Sequence, residues 1–360
     1  MPQITVDQLT QSIGAQVEQN VPLAQFSTFK LGGPAEFLVR AKSAEIIKQA
    51  IQTALDNNLP YTILGGGANV LIADKGIKGL VIKTENTDVA VEGEIIRAQA
   101  GAPLAQIAVK SSQAGLAGLE FAVAIPGSVG GGVRGNAGCY GTELKDVLTR
   151  VHVLQIVILE GAKRPIGSSI SKMDSIASAP QSGASLQNDK RVEDVWLENK
   201  DCHFAYRESR FKREPFVILE AEFKAMPGNK EESMAKMSKW LEQKKATQSV
   251  ESNCAGCVFK NVAWPDWEKV SPEALKKEDV DSGKEFQAKG IVPAGWIIDQ
   301  LGLKGFRLGG TMVSEKHGNF LLNMGQGSTD QMVQLISYVK MQVRDRLGVM
   351  LQEEVQYLGF

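Results

Sequence analysis

IPGSVGGGVRGNAGCYG, residues 125–141, carries seven glycines in its last fifteen positions, in a chain with 36 glycines among 360 residues. A glycine inside a helix or strand costs about 0.5–1 kcal/mol against alanine, so neither element gains from such a run. Two readings compete. One is a series of tight turns between strands. The other is a backbone kept bare so that its N–H groups can ring an anionic ligand. The stretch contains G-x-G-x-x-G at Gly130, Gly132 and Gly135. A Rossmann fingerprint also needs a strand before it, a helix after it and an acidic residue about twenty positions later. Pro126 stands just upstream, NAGCYG reads as no helix, and the acidic residue is missing, so that reading fails.

A second glycine stretch, GGGANVL at 65–71, lacks the Gly-Lys-Ser/Thr of a P-loop. Each loop follows apolar sequence. Together they can embrace one long ligand with a pyrophosphate in its middle, with Asn69 hydrogen-bonding it and Ser128 adding a hydroxyl. The bulk numbers set the frame. A chain of 360 residues suggests two or three domains. Apolar content of 43% and charged content of 22% are ordinary for a soluble protein, and a net charge of −1 gives no field for nucleic acid. No run approaches the ~18 apolar residues of a membrane span. The first twenty residues lack a basic start and an apolar centre, so no secretory signal is read there. With four cysteines, this points to reduced thiols in the cytoplasm.

The chain opens as a strand at 36–41, a helix at 43–58 with Ser43 as N-cap, and a strand at 59–64 leading into the first glycine loop. Strand-like runs GLVIK, VAVEG and IIRAQA follow, then a helix over 102–116 and strands at 151–160 and 216–223. Residues 161–190, rich in Ser and Ala without periodicity, read as an insertion or mobile loop. Helices are predicted at 231–246, 294–302 and 328–348, the last with a stripe of Met332, Leu335, Ile336, Val339, Val343 and Leu347, capped by Ser328 or Thr329 and stopped by Gly348. A final strand, EVQYLGF, closes the chain.

STFKLGGPAEFLV, ILGGGANVLI, FAVAIPGSVGGGVRGNAGCYG and CHFAYRESRFK stand in this order, followed by AGCVFKN, AGWIIDQLGLKGFRLGGTMVSEKHGNFLLN and LQEEVQYLG. Seven ordered segments, spanning about 20 to 358, resemble the UDP-N-acetylenolpyruvoylglucosamine reductases. The resemblance implies an α+β protein: the vanillyl-alcohol-oxidase-type two-part FAD-binding fold with a separate α/β substrate domain. The expected divisions are 1–84 and 85–226 for the two FAD-binding parts, 227–350 for the substrate domain, and 351–360 for a C-terminal strand. It further implies a cytoplasmic, monomeric flavoprotein of peptidoglycan synthesis. NADPH would reduce FAD, and FAD would reduce UDP-N-acetylglucosamine enolpyruvate. The implied cofactor contacts are Gly65, Gly66, Gly67, Ala68, Asn69 and Val70 in the first loop, and Pro126, Gly127, Ser128, Gly130, Gly131, Asn136 and Gly138 in the second. No metal is expected. The alternatives are an FAD oxidase of the same fold acting on another alcohol or sugar, and a flavin-binding relative that has lost activity.

Three residues are implied to act on substrate. Arg207, in FAYRESRFK, is otherwise a solvated surface charge; its fork suits a carboxylate. Cys257 lies in C-A-G-C with Cys254. That spacing also suits zinc or a redox pair, but no second ligand pair and no thioredoxin-like context accompany it. The resemblance makes Cys257 the proton donor, at a position usually held by serine. An ordinary thiol, with a pKa near 8.5, gives up a proton more readily than a hydroxyl. Glu354, immediately before Val355, takes the place of a catalytic glutamate, although the usual L-E-P-E is L-Q-E-E here. Tyr206 and Asn261 resemble substrate contacts, and Lys316 and His317 are weaker candidates. The 49 residues between Arg207 and Cys257 fit the compact branch of the family, which lacks a substrate-capping tyrosine loop.

Overall fold

The structure is a computed structural model that describes residues 4–159, 189–247, 253–270 and 280–360. The Ser/Ala-rich segment 161–190 lies outside the described residues apart from its last two.

The first part is a four-stranded sheet ordered Val17–Pro22, Pro34–Ala41, Ile77–Thr84, Tyr61–Leu64. The first pair is antiparallel and the other two are parallel. Helix Ala44–Asp56 forms as expected, with Ser43 Oγ accepting from the Ile46 N–H. Its buried face, Ile47, Ala50, Ile51 and Ala54, packs on Phe37, Val39, Leu80 and Ile82 of the sheet. The patterns above place no element before residue 36. Helix Val6–Ile13 and strand Val17–Pro22 occupy that stretch. The helix has a full capping box between Thr5 and Gln8.

The second part is an antiparallel sheet of five strands, in the order Asp189–Glu198, Leu148–Leu159, Phe216–Lys224, Ile95–Gln99, Val89–Glu92. Helix Leu104–Gln113 and a short helix, Val129–Gly135, share its core with Ile96, Ala98, Val151, Val153 and Phe223. The glycine run is therefore helical over seven residues, contrary to the expectation from propensity. Tertiary packing supplies the reason. A Cβ on Gly132 would lie 2.7 Å from Leu104 Cδ1, and one on Gly130 would lie 3.0 Å from Ala100 Cβ. The helix packs at a depth that side chains there would forbid. Helix Lys230–Thr247 sits on this same core through Met237 and Trp240, and its Ser233 hydroxyl donates to the buried Glu120 carboxylate at 2.8 Å.

The third part carries helices Ala294–Gln300 and Thr329–Leu347 against the short strands Arg307–Leu308, Thr311–Val313 and Leu321–Asn323. The predicted stripe of the long helix, from Met332 to Leu347, is buried; Ser328 caps it and Gly348 ends it at φ +69°. Several contacts tie this part to the first. Buried Asn323 donates to the Phe29 carbonyl at 3.0 Å. Asp74, beyond the first glycine loop, accepts from the N–H groups of Thr329 at 2.9 Å and Asp330 at 3.0 Å. A carboxylate on two free N–H groups at a helix N-terminus combines capping with a favourable dipole. Asp74→Ala is expected to lower stability by about 1–2 kcal/mol, read as a shift in the urea midpoint. No change would mean that the Ser328 cap suffices.

Candidate active site

The two glycine loops touch. Ser128, the N-cap of helix Val129–Gly135, accepts at Oγ from the Gly66 N–H at 3.2 Å and the Gly131 N–H at 3.4 Å. Its own hydroxyl proton remains available to a ligand. A Cβ on Gly66 would stand 2.7 Å from Gly127 Cα and 2.8 Å from Ser128 N, and one on Gly65 would stand 2.6 Å from Ser128 Oγ. Gly67, at φ +66°, would press a Cβ to 1.8 Å from the Phe26 carbonyl oxygen. Gly65 and Gly66 are bare because one loop lies on the other, and Gly67 because the Phe26–Ser27 backbone lies on it. Gly131 and Gly135 differ. A Cβ on Gly131 would meet only Ser128 Oγ at 3.5 Å, and one on Gly135 nothing within 4 Å. The protein does not need glycine at these helix positions, where alanine is better by up to about 1 kcal/mol.

Asn69 sharpens the picture. Its Nδ2 donates to the Glu354 carbonyl at 3.2 Å, while its buried Oδ1 has no partner. An orphaned buried acceptor asks for a donor, such as a ligand hydroxyl or ring N–H; a phosphate oxygen does not serve. Asn136 behaves otherwise. Buried and at φ +44°, it donates to Glu143 Oε2 and to the Ala205 carbonyl at 2.9 Å each, and accepts from the Lys145 N–H at 3.1 Å. Its side chain is spent on holding the turn before Tyr206 against the hairpin Gly138–Cys139/Thr142–Glu143.

That turn presents Arg207. Ala205 and Glu208 exchange both backbone hydrogen bonds at 3.0 Å, with Tyr206 and Arg207 at the tip. Arg207 lies at φ +56°, a conformation that costs a non-glycine residue of the order of 1 kcal/mol and marks an imposed position. Its Nε donates to Glu354 Oε1 at 3.0 Å and its Nη2 to the Gly138 carbonyl at 3.4 Å, with Glu143 Oε1 at 3.9 Å. The guanidinium also faces the Tyr206 ring at 5.2 Å. Burial pushes the Glu354 carboxyl upward from the usual range, with Arg207, Lys212 and Lys260 pulling the other way.

Cys257 comes from the third part. Its segment is clamped by Asn319, whose Oδ1 accepts from the Phe259 N–H and whose Nδ2 donates to the Phe259 carbonyl, both at 2.8 Å. Glu354 then lies across it, its N–H donating to the Val258 carbonyl at 2.7 Å. Cys257 packs beside Cys254, Met312, Phe320 and Leu322. Burial, then the Glu354 charge, pushes its thiol up to about 12. The site therefore makes Cys257 a weaker acid than an ordinary thiol.

Of the remaining candidates, Tyr206 accepts at its hydroxyl from the Asn261 N–H at 3.4 Å, which joins the Arg207 turn to the Cys257 segment. Asn261 Oδ1 accepts from the Ala294 N–H at 3.2 Å. Lys316 is exposed. His317 accepts at Nδ1 from the Asn319 N–H at 3.2 Å and packs on Phe320 and Gly295. Among the described residues, no hydrogen bond or ion pair links Lys316 or His317 to Arg207, Cys257 or Glu354. Residues that sequence reasoning missed surround the pair. Glu143 backs Arg207, and Lys212 and Lys260 share Glu208, with Lys260 at 2.8 Å. Lys212 also donates to the Arg207 carbonyl. No local signal in sequence singles these out, because each is one charge among many.

The matches to known proteins agree with this geometry. Residues 35–157 match the model of an FAD binding domain, and residues 248–358 match that of the UDP-N-acetylenolpyruvoylglucosamine reductase C-terminal domain. The reductase of Carboxydothermus hydrogenoformans is 34% identical over 356 residues, covering 98% of this chain and 97% of that one. The chain belongs to the UDP-N-acetylenolpyruvoylglucosamine reductase family. The Bacillus subtilis relative is 30% identical, with 98% of each chain covered. The crystal structure of the reductase from Thermus caldophilus superposes with a TM-score of 0.66 at 26% identity, over 96% of this chain and 99% of that one. The fold is accordingly an FAD-binding part with a separate C-terminal substrate part, and the chain is an FAD-dependent oxidoreductase that uses NADPH. The glycine cradle and the orphaned Asn69 acceptor fit FAD.

Gly131→Ala separates the two reasons for glycine. It fits the unliganded protein and improves the helix, so the melting temperature without FAD is expected to hold or rise. FAD affinity is expected to fall at least tenfold in a fluorescence titration. Unchanged affinity would remove Gly131 from the cofactor surface.

Proposed function

We propose that this enzyme reduces UDP-N-acetylglucosamine enolpyruvate to UDP-N-acetylmuramate, with Arg207, Glu354 and Cys257 acting on the enolpyruvyl group. The observation that carries this reading is the convergence of an arginine on a strained backbone, a partly buried carboxylate and a partly buried thiol from three distant segments beside the glycine cradle. FAD, when bound, carries the hydride from NADPH to the methylene carbon of the substrate. Negative charge then gathers on the neighbouring carbon and spreads into the substrate carboxylate. Arg207 offers that carboxylate its fork. Glu354, raised in pKa by burial, exchanges its hold on Arg207 for a hydrogen bond that orients the enolate. Cys257 delivers the proton to carbon. A UDP-linked cell-wall precursor as substrate supports a cytoplasmic enzyme, and we read it as a monomer. No described helix is long and apolar enough to cross a membrane.

Anaerobic reduction of the holoenzyme by NADPH followed by addition of UDP-N-acetylglucosamine enolpyruvate is expected to restore the oxidised flavin spectrum rapidly. A flavin that reduces but is not reoxidised by this substrate would point to a different acceptor. Cys257→Ala is expected to leave reduction by NADPH near wild type and slow reoxidation by two to four orders of magnitude, the usual worth of a positioned acid. Arg207→Lys is expected to slow the same half, since an ammonium cannot make the bidentate contact. Equal slowing of both halves would overturn these roles.

The raised Cys257 thiol gives a pH test. A group whose pKa rises stays protonated to higher pH, so the thiolate remains scarce through the neutral and mildly alkaline range. Alkylation of Cys257 by iodoacetamide at pH 8.5, followed by peptide mass spectrometry, is expected to run more than tenfold slower than that of a cysteine peptide. Equal rates would show an ordinary thiol.

A further inference from the structure

Arg134 has no part in the chemistry above, yet it lies in the second glycine stretch and is joined through Gln356 to Asn69 of the first. It lies in helix Val129–Gly135, and residues three and four apart on a helix share a face. Gly131, Arg134 and Gly135 therefore line one side. Gly131 and Gly135 leave that side open, with no protein atom nearer to a Cβ than Ser128 Oγ at 3.5 Å. The face is bare backbone with a single side chain on it, a cation.

The surroundings of that cation are specific. Arg134 Nη1 donates to Gln356 Oε1 at 3.3 Å, a neutral acceptor, and Arg134 forms no ion pair among the described residues. Gln356 follows Glu354 by two positions, and its N–H donates to the Asn69 carbonyl at 3.0 Å. The Ser209 hydroxyl donates to the Arg134 carbonyl at 2.6 Å, which fixes the helix end to the segment presenting Arg207. Arg134 thus stands where both glycine loops meet the Arg207–Glu354 pair. Six residues of helix, about 9 Å, separate it from Ser128. A dinucleotide with its pyrophosphate at Gly66 and Ser128 and its reactive ring near Cys257 and Glu354 must pass it. A half-buried guanidinium hydrogen-bonded to a neutral amide, with Glu208 acting on it without an ion-pair contact, keeps much of its field. Burial also lowers its pKa, with the Glu208 charge opposing.

We propose that Arg134 is the charge that tunes the bound flavin: it stabilises the reduced ring, which carries negative charge at neutral pH, and so makes reduction by NADPH more favourable. The inference rests on FAD binding as read above. It concerns only the ring's two-electron equilibrium, in which NADPH supplies the hydride and solvent exchanges the proton.

The test is the midpoint potential of the holoenzyme, measured by slow anaerobic reduction against a reference dye. In Arg134→Gln and Arg134→Met the equilibrium constant for ring reduction is expected to fall at least tenfold, a potential about 30 mV more negative for a two-electron couple. Arg134→Lys, which keeps the charge, should recover at least half of that shift. The pH at which the reduced ring loses its second proton, seen as a break in the plot of potential against pH, should lie higher in Arg134→Gln than in wild type. A structural role would move neither quantity. A potential changed by less than threefold in equilibrium constant would overturn the proposal. So would weakened FAD affinity at constant potential, which would assign Arg134 to the pyrophosphate. Wild-type protein that binds no FAD would overturn the cofactor reading as well, and is thereby told apart from failure of the tuning role alone.

Discussion

The last strand of the chain is the constraint on which the site depends. Gln356–Leu358 runs parallel to Val70–Ile72 of the first part, while just before it Lys260 donates to the Gln352 carbonyl and Glu354 to the Val258 carbonyl of the third part. A few residues are therefore bonded to both the cofactor side and the substrate side. Glu354 sits between the two sets of bonds, and Asn69 also donates to its carbonyl. Its carboxylate is positioned by backbone on either side, the kind of rigid support that a catalytic group needs to hold within a fraction of an ångström. The altered L-Q-E-E leaves this intact, because the contacts that fix Glu354 are made by main-chain atoms and not by the residues that changed.

A second constraint is electrostatic. Arg207, Lys212 and Lys260 crowd together with Glu208, Glu354 and Glu143 in a partly buried cluster. Desolvation works against each charge there, and the partners restore it only when all are present. Arg207 adds backbone strain at φ +56°. The strain is supported by the paired turn Ala205–Glu208, by Asn136 gripping the Ala205 carbonyl and by Lys212 on the carbonyl of Arg207 itself. In the proposed role of Arg207, a substrate carboxylate entering here would meet a guanidinium already held in place, so that little reorganisation would remain at the moment of reaction.

What could be read in the sequence follows from how local each feature is. Helix Thr329–Leu347 was legible because stripe, N-cap and stop signal all lie within its own residues. The strand at Phe216–Lys224 was legible for its continuous apolar run. The helix across the glycine run was not, because its cause lies in Ala100, Leu104 and Leu144, distant in sequence, and tertiary contact overrode propensity. Arg207, Cys257 and Glu354 were singled out through ordered motifs, and the fold brings them together. Glu143, Lys212 and Arg134 escaped, since only the folded chain shows which charges lie within reach of one another. Asn136 was legible as a special position. Its work, hydrogen-bonding the Arg207 turn to the hairpin, is visible only in three dimensions.

The cysteine at 257 is best understood through the surroundings that raise its pKa. In water a thiol and a hydroxyl differ greatly as acids. In this site burial and the nearby Glu354 carboxylate penalise the thiolate and lift the thiol to about 12, toward the behaviour of a hydroxyl. The site therefore weakens the acid well below an ordinary thiol. On the proposed assignment, such a weak donor would leave the resting enol ether alone, because its carbons are poor bases, and would protonate the carbon only once the substrate has gained a hydride and that carbon has become strongly basic. Arg207, by holding the carboxylate into which the charge spreads, would stabilise that charge as it forms.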